Sequence, residues 1–71
     1  MRWECRYSSS EMLFLEVGTD AVRCYLDHSP GNAEWWTFAE VLDGDHDAYV
    51  RNLFGEAAVD QLKAAVRLRV E

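Results

Sequence analysis

No segment of this sequence approaches the ~20 consecutive apolar residues that a membrane-spanning helix requires. The candidate run, MLFLEV at positions 12–17, is short and broken by Glu16. The opening MRWECRYSSSEMLFLEVG lacks an A-x-A-like cleavage site, so it does not read as a secretory signal. Cysteine is scarce: Cys5 and Cys24 are the only two. That is a poor framework for a secreted miniprotein, and it predicts two reduced, mostly buried thiols in a cytoplasmic protein. No C-x-x-C pair is present, and Cys5, Cys24, His28 and His46 lack the close pair spacing of structural zinc sites. Also missing are a G-x-G-x-x-G or G-x-x-x-x-G-K-[ST] phosphate cradle and a G-x-S-x-G context for Ser8, Ser9 or Ser10. These gaps predict a protein that is not an enzyme and carries no cofactor.

Positive charge is sparse as well. Seven Lys and Arg stand against 13 Asp and Glu, a net charge of −6. This balance disfavours direct binding to a nucleic-acid backbone or to an anionic membrane surface. The imbalance is concentrated. Residues 27–50 hold Asp27, Glu34, Glu40, Asp43, Asp45 and Asp47 and no Lys or Arg at all.

What the chain does have is a good supply of core-forming residues. Hydrophobic residues make up 49% and aromatics 13% of its 71 positions, enough for one small folded domain spanning 1–71. The first third alternates with period two. Trp3, Cys5 and Tyr7 oppose Arg2, Glu4 and Arg6; Leu13, Leu15 and Val17 oppose Met12, Phe14 and Glu16; Val22, Cys24 and Leu26 oppose Arg23, Tyr25 and Asp27. Serines and GTD separate these runs, which predicts a three-stranded antiparallel meander. HSPGN then breaks the pattern.

Beyond it, Trp35, Phe38, Ala39 and Leu42 recur at helical spacing, with Asn32 as N-cap and Gly44 as C-terminal glycine. A fourth strand through EWWTFAEV competes with that helix, because Trp, Thr, Phe and Val favour strands. A second helix is expected from an Asp45 cap to Phe54, with Tyr49, Val50, Leu53 and Phe54 as its apolar stripe. A third starts near Glu56 and carries Val59, Leu62, Val66 and Val70 on one side. The alternation of VRLRVE leaves a short C-terminal strand as the rival there. The resulting class is α+β: a meander covered on one face by two or three C-terminal helices.

The segment VLDGDHDAYV invites a metal reading, since Asp43, Asp45 and Asp47 match the first three ligand positions of an EF-hand loop. The rest of that loop fails: Ala48 replaces the glycine, Arg51 occupies the ninth position and Phe54 the twelfth. The segment reads better as a helix joint, with Asp45 capping and Asp47 pairing with Arg51 one turn on. No metal site is therefore expected, although a small metal- or ligand-binding module using His28, His46 and the three aspartates is the alternative. The favoured function is binding to another macromolecule, a protein with a basic surface, in the manner of an inhibitor, immunity or antitoxin-like accessory protein. Trp36, Glu40, Asp43, Asp45 and Asp47 form the expected contact surface, with Trp36 half exposed while Trp35 packs inward. Phe14 and Tyr25 on the open sheet face form a second candidate surface. Self-association through that face or through a strand edge is the remaining possibility.

Overall fold

A computed structural model of the chain describes residues 1–71, the side chain of Pro30 excepted. It is α+β: a four-stranded antiparallel sheet followed by three helices. The strands are β1 (Arg2–Arg6), β2 (Met12–Val17), β3 (Ala21–Leu26) and β4 (Glu34–Thr37), arranged side by side in chain order. The expected three-strand meander thus gains a fourth member. A 3₁₀ turn at Pro30–Asn32 leads into β4, which pairs with β3 so that Trp36 faces Val22 and Trp35 faces Arg23. The helix expected from Asn32 therefore does not begin there.

Helix α1 (Phe38–Asp43) begins instead at a capping box. The Thr37 side chain accepts a hydrogen bond from Glu40 N–H at 3.1 Å, and the Glu40 carboxylate accepts from Thr37 N–H at 2.8 Å. The helix ends at Gly44, whose φ of 87° is a conformation that side-chain-bearing residues rarely adopt. Gly44 N–H donates to Val41 C=O and Asp45 N–H to Glu40 C=O, both at 3.2 Å, which is the Schellman arrangement. Asp45 thus serves the end of α1 through its backbone. It does not cap α2 (Asp47–Phe54), whose N-cap position is His46, without a side-chain hydrogen bond. Gly55, at φ 98° and ψ 161°, turns the chain from α2 into α3 (Glu56–Val70).

The C-terminal strand alternative is overturned. The residues that alternate are helical, and Glu71 N–H still donates to Arg67 C=O at 3.1 Å. Their alternation has a simple cause. Ala65 and Val66 are buried, while Leu68 and Val70 lie beyond the covered face and are exposed. Val70 therefore leaves the buried stripe it was expected to join.

The core lies between the inner sheet face and the helices. Leu13, Leu15, Val17, Val22, Cys24 and Trp36 contribute from the sheet; Val41, Val50, Val59, Leu62 and Val66 close over them. Trp3, Cys5 and Leu26 are half-buried at its margin, whereas Tyr7, one residue past β1, is exposed. Trp3 is tied to α3 through its indole N–H, which donates to Gln61 Oε1 at 2.9 Å. Among the described residues, no helix is long and apolar enough to cross a membrane.

Candidate functional site

The helices cover one side of the sheet only. Strand parity sends the other residues to the outer face, and the registers line them up in rows. Arg2, Glu16, Arg23 and Trp35 form one row across all four strands; Glu4, Phe14 and Tyr25 form the next. The side chains interlock. Arg2 lies 4.8 Å from the Phe14 ring centre, and the Phe14 and Tyr25 rings are 5.3 Å apart. Arg23 sits between two rings, 4.3 Å from Tyr25 and 5.8 Å from Trp35, while its guanidinium also donates to Glu16 at 2.8 Å. With Arg6 beside Met12 and Asp27 next in line, three arginines stand against Glu4, Glu16 and Asp27, which leaves this face near neutral within a chain of net charge −6. The remaining surface is therefore strongly acidic.

Trp35 stands out in this row. It is 63% exposed, whereas its neighbour Trp36 is 2% exposed and belongs to the core. The expected roles of the two rings are thus exchanged. Adjacent residues on a strand point to opposite faces, and β4 carries the pair where a helix was expected. Trp36 cannot serve as a surface anchor. Instead it stacks against His46 at 4.1 Å and 7°, meets Tyr49 edge-on at 5.7 Å, and donates its indole N–H to Glu34 at 3.2 Å. Trp35 was missed because helical spacing placed it in the core. The alternation continued from β3 would have exposed it.

At the helix joint the acidic residues spread rather than converge. Asp43 and Asp45 are exposed. Glu40 is engaged in its capping box, and its carboxyl is held below the ordinary glutamate range, chiefly by the Thr37 N–H, with His46 adding to the effect. Asp47 does not pair with Arg51. It accepts a hydrogen bond from Lys63 Nζ at 2.8 Å, which ties α2 to α3, while Arg51 approaches Glu56 at 3.9 Å. The two histidines have separate neighbourhoods. His28 Nε2 lies 2.8 Å from Ser10 C=O and 3.8 Å from Asp27; His46 Nε2 is buried without a hydrogen-bond partner, 3.9 Å from Glu40. Among the described residues, no group of three or more His, Cys, Asp or Glu is placed to hold a metal ion.

In comparisons with known proteins, no family model, curated protein or solved structure matches this chain.

A small cleft of about 270 Å³ opens beside Tyr7, Cys24, Glu34 and Tyr49. Its thiol is a poor nucleophile. Burial pushes Cys24 up to about 11, against which a hydrogen bond with Tyr49 works only in part. A thiol in that range stays protonated at neutral pH, and the thiolate is the reactive form. The Tyr49 hydroxyl is likewise pushed up to about 12, mainly by desolvation. The thiol and the phenol are thus both neutral.

Proposed function

We propose that this is a non-enzymatic binding protein whose working surface is the outer face of the sheet, and that its target is another protein. The observation carrying this reading is the exposed Trp35 set in a row of arginines and aromatic rings that no helix covers. Trp, Tyr and Arg are the side chains most often found to dominate binding energies, because each offers large contact area and a directional polar group. The partner surface that fits presents carboxylates among apolar side chains, to meet Arg2, Arg6 and Arg23. Single-stranded nucleic acid fits less well. The guanidinium groups lie against the rings that bases would stack on, Glu4 and Glu16 share the face, and the net charge repels phosphates. A cytoplasmic setting suits the two free thiols.

A second reading rests on Asp43 and Asp45, whose exposed carboxylates pair with no cation among the described residues. They suit a partner with a basic surface, as an inhibitor- or immunity-like accessory protein would have. The two readings separate by mutation. Affinity capture with the wild type identifies the bound protein, and its dissociation constant is then measured for two variants. Trp35→Ala with Tyr25→Ala is expected to weaken binding by roughly 30-fold or more, the equivalent of one hot-spot residue of ~2 kcal/mol. Asp43→Asn with Asp45→Asn is expected to leave it within about twofold. The opposite outcome, in which only the Asn variant loses affinity together with most of the salt dependence, transfers the interface to the helix joint.

A further inference from the structure

We infer that β1 is a docking edge for a second copy of this chain, forming a two-fold dimer in which the two sheets join through antiparallel β1–β1 pairing. Arg2, Glu4 and Arg6 belong both to this edge and to the outer face, whereas Trp35 lies on β4 at the opposite edge of the sheet, so the two roles separate by mutation.

Sheet order leaves β1 and β4 as edges. The β4 edge is short and partly closed, since Thr37 N–H is taken by the Glu40 carboxylate. The β1 edge is open, and the hydrogen bonds flanking it show which backbone groups face outward. Val17 N–H donates to Met1 C=O at 3.1 Å, and Tyr7 N–H to Glu11 C=O at 3.0 Å. Bonded and non-bonded positions alternate along an antiparallel pair. Odd-numbered residues of β1 therefore turn their backbone groups toward β2, and Arg2, Glu4 and Arg6 turn theirs to the open side. Among the described residues, no loop or side chain takes those groups.

The side chains of the same three residues select the occupant. Arg-x-Glu-x-Arg, read against its own reverse, is self-complementary in charge when offset by one pair. Arg2 then faces the partner's Glu4, Glu4 faces the partner's Arg2, and Trp3 faces the partner's Trp3. The in-line register, in which Glu4 meets the partner's Glu4 and Arg2 the partner's Arg6, sets like charges directly opposite and is disfavoured. An open groove of about 420 Å³ lies at the same end of the strand, lined by Met1, Trp3, Gln61, Ala64, Ala65 and Leu68. Leu68 is 76% exposed and Met1 71%. The offset register brings both copies' grooves to the two-fold axis, so that each α3 covers the other's apolar stripe. An exposed edge strand flanked by such a stripe is a feature that isolated monomers generally suppress.

Sedimentation equilibrium on the full chain tests this. The wild type is expected to be dimeric at micromolar to millimolar concentration. Leu68→Glu, a change at an exposed position, is expected to be monomeric, with the far-ultraviolet circular dichroism spectrum of the wild type and a melting temperature that no longer depends on concentration. Glu4→Arg is expected to weaken the dimer about tenfold, because it sets arginine against arginine at two symmetric positions. The double variant Arg2→Glu with Glu4→Arg restores the complementarity and is expected to recover the dimer, which a merely structural role for Glu4 would not produce. Trp35→Ala is expected to leave the dimer intact, so failure of the outer-face reading is distinguishable from failure of this one. A wild type that stays monomeric at millimolar concentration overturns the proposal. So does a dimer insensitive to both Leu68→Glu and Glu4→Arg. Rapid formation of a disulfide between the Cys5 thiols of two copies also overturns it, because that requires the register in which Cys5 meets its own mate.

Discussion

Replacing Trp35 and Trp36 one at a time by alanine tests the strand assignment of β4 directly. A fully buried aromatic side chain removes about 150–250 Å² from water. At ~25 cal/mol per Å² that is about 4–6 kcal/mol, and measured Trp→Ala losses in cores run at about 3–5 kcal/mol. Trp36, 2% exposed, is expected to lie in that range, with the His46 stack and the Glu34 hydrogen bond lost as well. For a chain of 71 residues, typical stability of ~0.05–0.15 kcal/mol per residue gives a total of only about 4–11 kcal/mol. Trp36→Ala should therefore leave the protein marginal or unfolded at room temperature. Trp35→Ala removes a ring that is 63% exposed and one contact with Arg23, worth about 0.5–1 kcal/mol. Its melting temperature should fall by less than ~8 °C. Thermal unfolding followed by far-ultraviolet circular dichroism is the right assay, because removing a tryptophan alters the fluorescence signal itself. If Trp35→Ala proves the more damaging change, Trp35 points inward, and both the parity of β4 and the outer-face site are wrong.

Two further expectations concern ionisation. Glu40 has its pKa lowered on folding, so its stabilising contribution is fully present above the unfolded carboxyl value and is lost as pH falls through the folded one. The difference in melting temperature between wild type and Glu40→Gln should accordingly shrink on acidification below about pH 4.5, and a pH-independent difference would remove the carboxylate from the capping role. Cys24 has its pKa raised, from 9.0 to about 11, so the unfolded chain ionises first and stability should decline from about pH 9 toward 11. Cys24→Ala should flatten that part of the profile. In the native state at neutral pH, Cys24 should react with a thiol reagent more slowly than the half-buried Cys5. A melting profile flat to pH 11, or equal labelling rates, would contradict the burial of Cys24.

The meander was legible because Leu13, Leu15 and Val17 of β2 and Val22, Cys24 and Leu26 of β3 recur at every second position, opposite Glu16 and Arg23, and the turns carry Gly, Asp or Ser. Helix α3 was equally plain from Val59, Leu62 and Val66. The passage from strand to helix was not, for a physical reason: Thr37 ends β4 and also caps α1, so two periodicities meet at one residue. Spacing alone linked Trp35 to Phe38 across that boundary. The signal that resolves it is Thr37-x-x-Glu40, a capping-box pattern that starts the helix at Phe38 and excludes the tryptophans from it. Asp47 illustrates the other limit. Its nearest cation in sequence is Arg51, one turn away, but its partner is Lys63 on another helix, and long-range pairing leaves no local trace. Of the expected surface residues, Trp36 alone is buried in the core, while Phe14 and Tyr25 lie on the outer sheet face and Asp43 and Asp45 are exposed. The exposed aromatic of β4 needed the strand register to be seen.

The order of the strands has a consequence for biosynthesis. Each strand pairs with its predecessor, so the sheet can assemble by successive hairpin steps of ~1–10 μs each. The apolar inner face, however, is closed mainly by α3, whose anchoring contact between Trp3 and Gln61 spans 58 positions. At roughly 5–20 residues per second of synthesis, the segment from Thr37 to Val70 takes a few seconds to appear. During that interval the nascent sheet has its hairpins but no cover, with Leu13, Leu15, Val22 and Trp36 facing water. The emergence of α3 is then the committing event, and a ribosome pausing within residues 56–70 would hold the chain in its most aggregation-prone form.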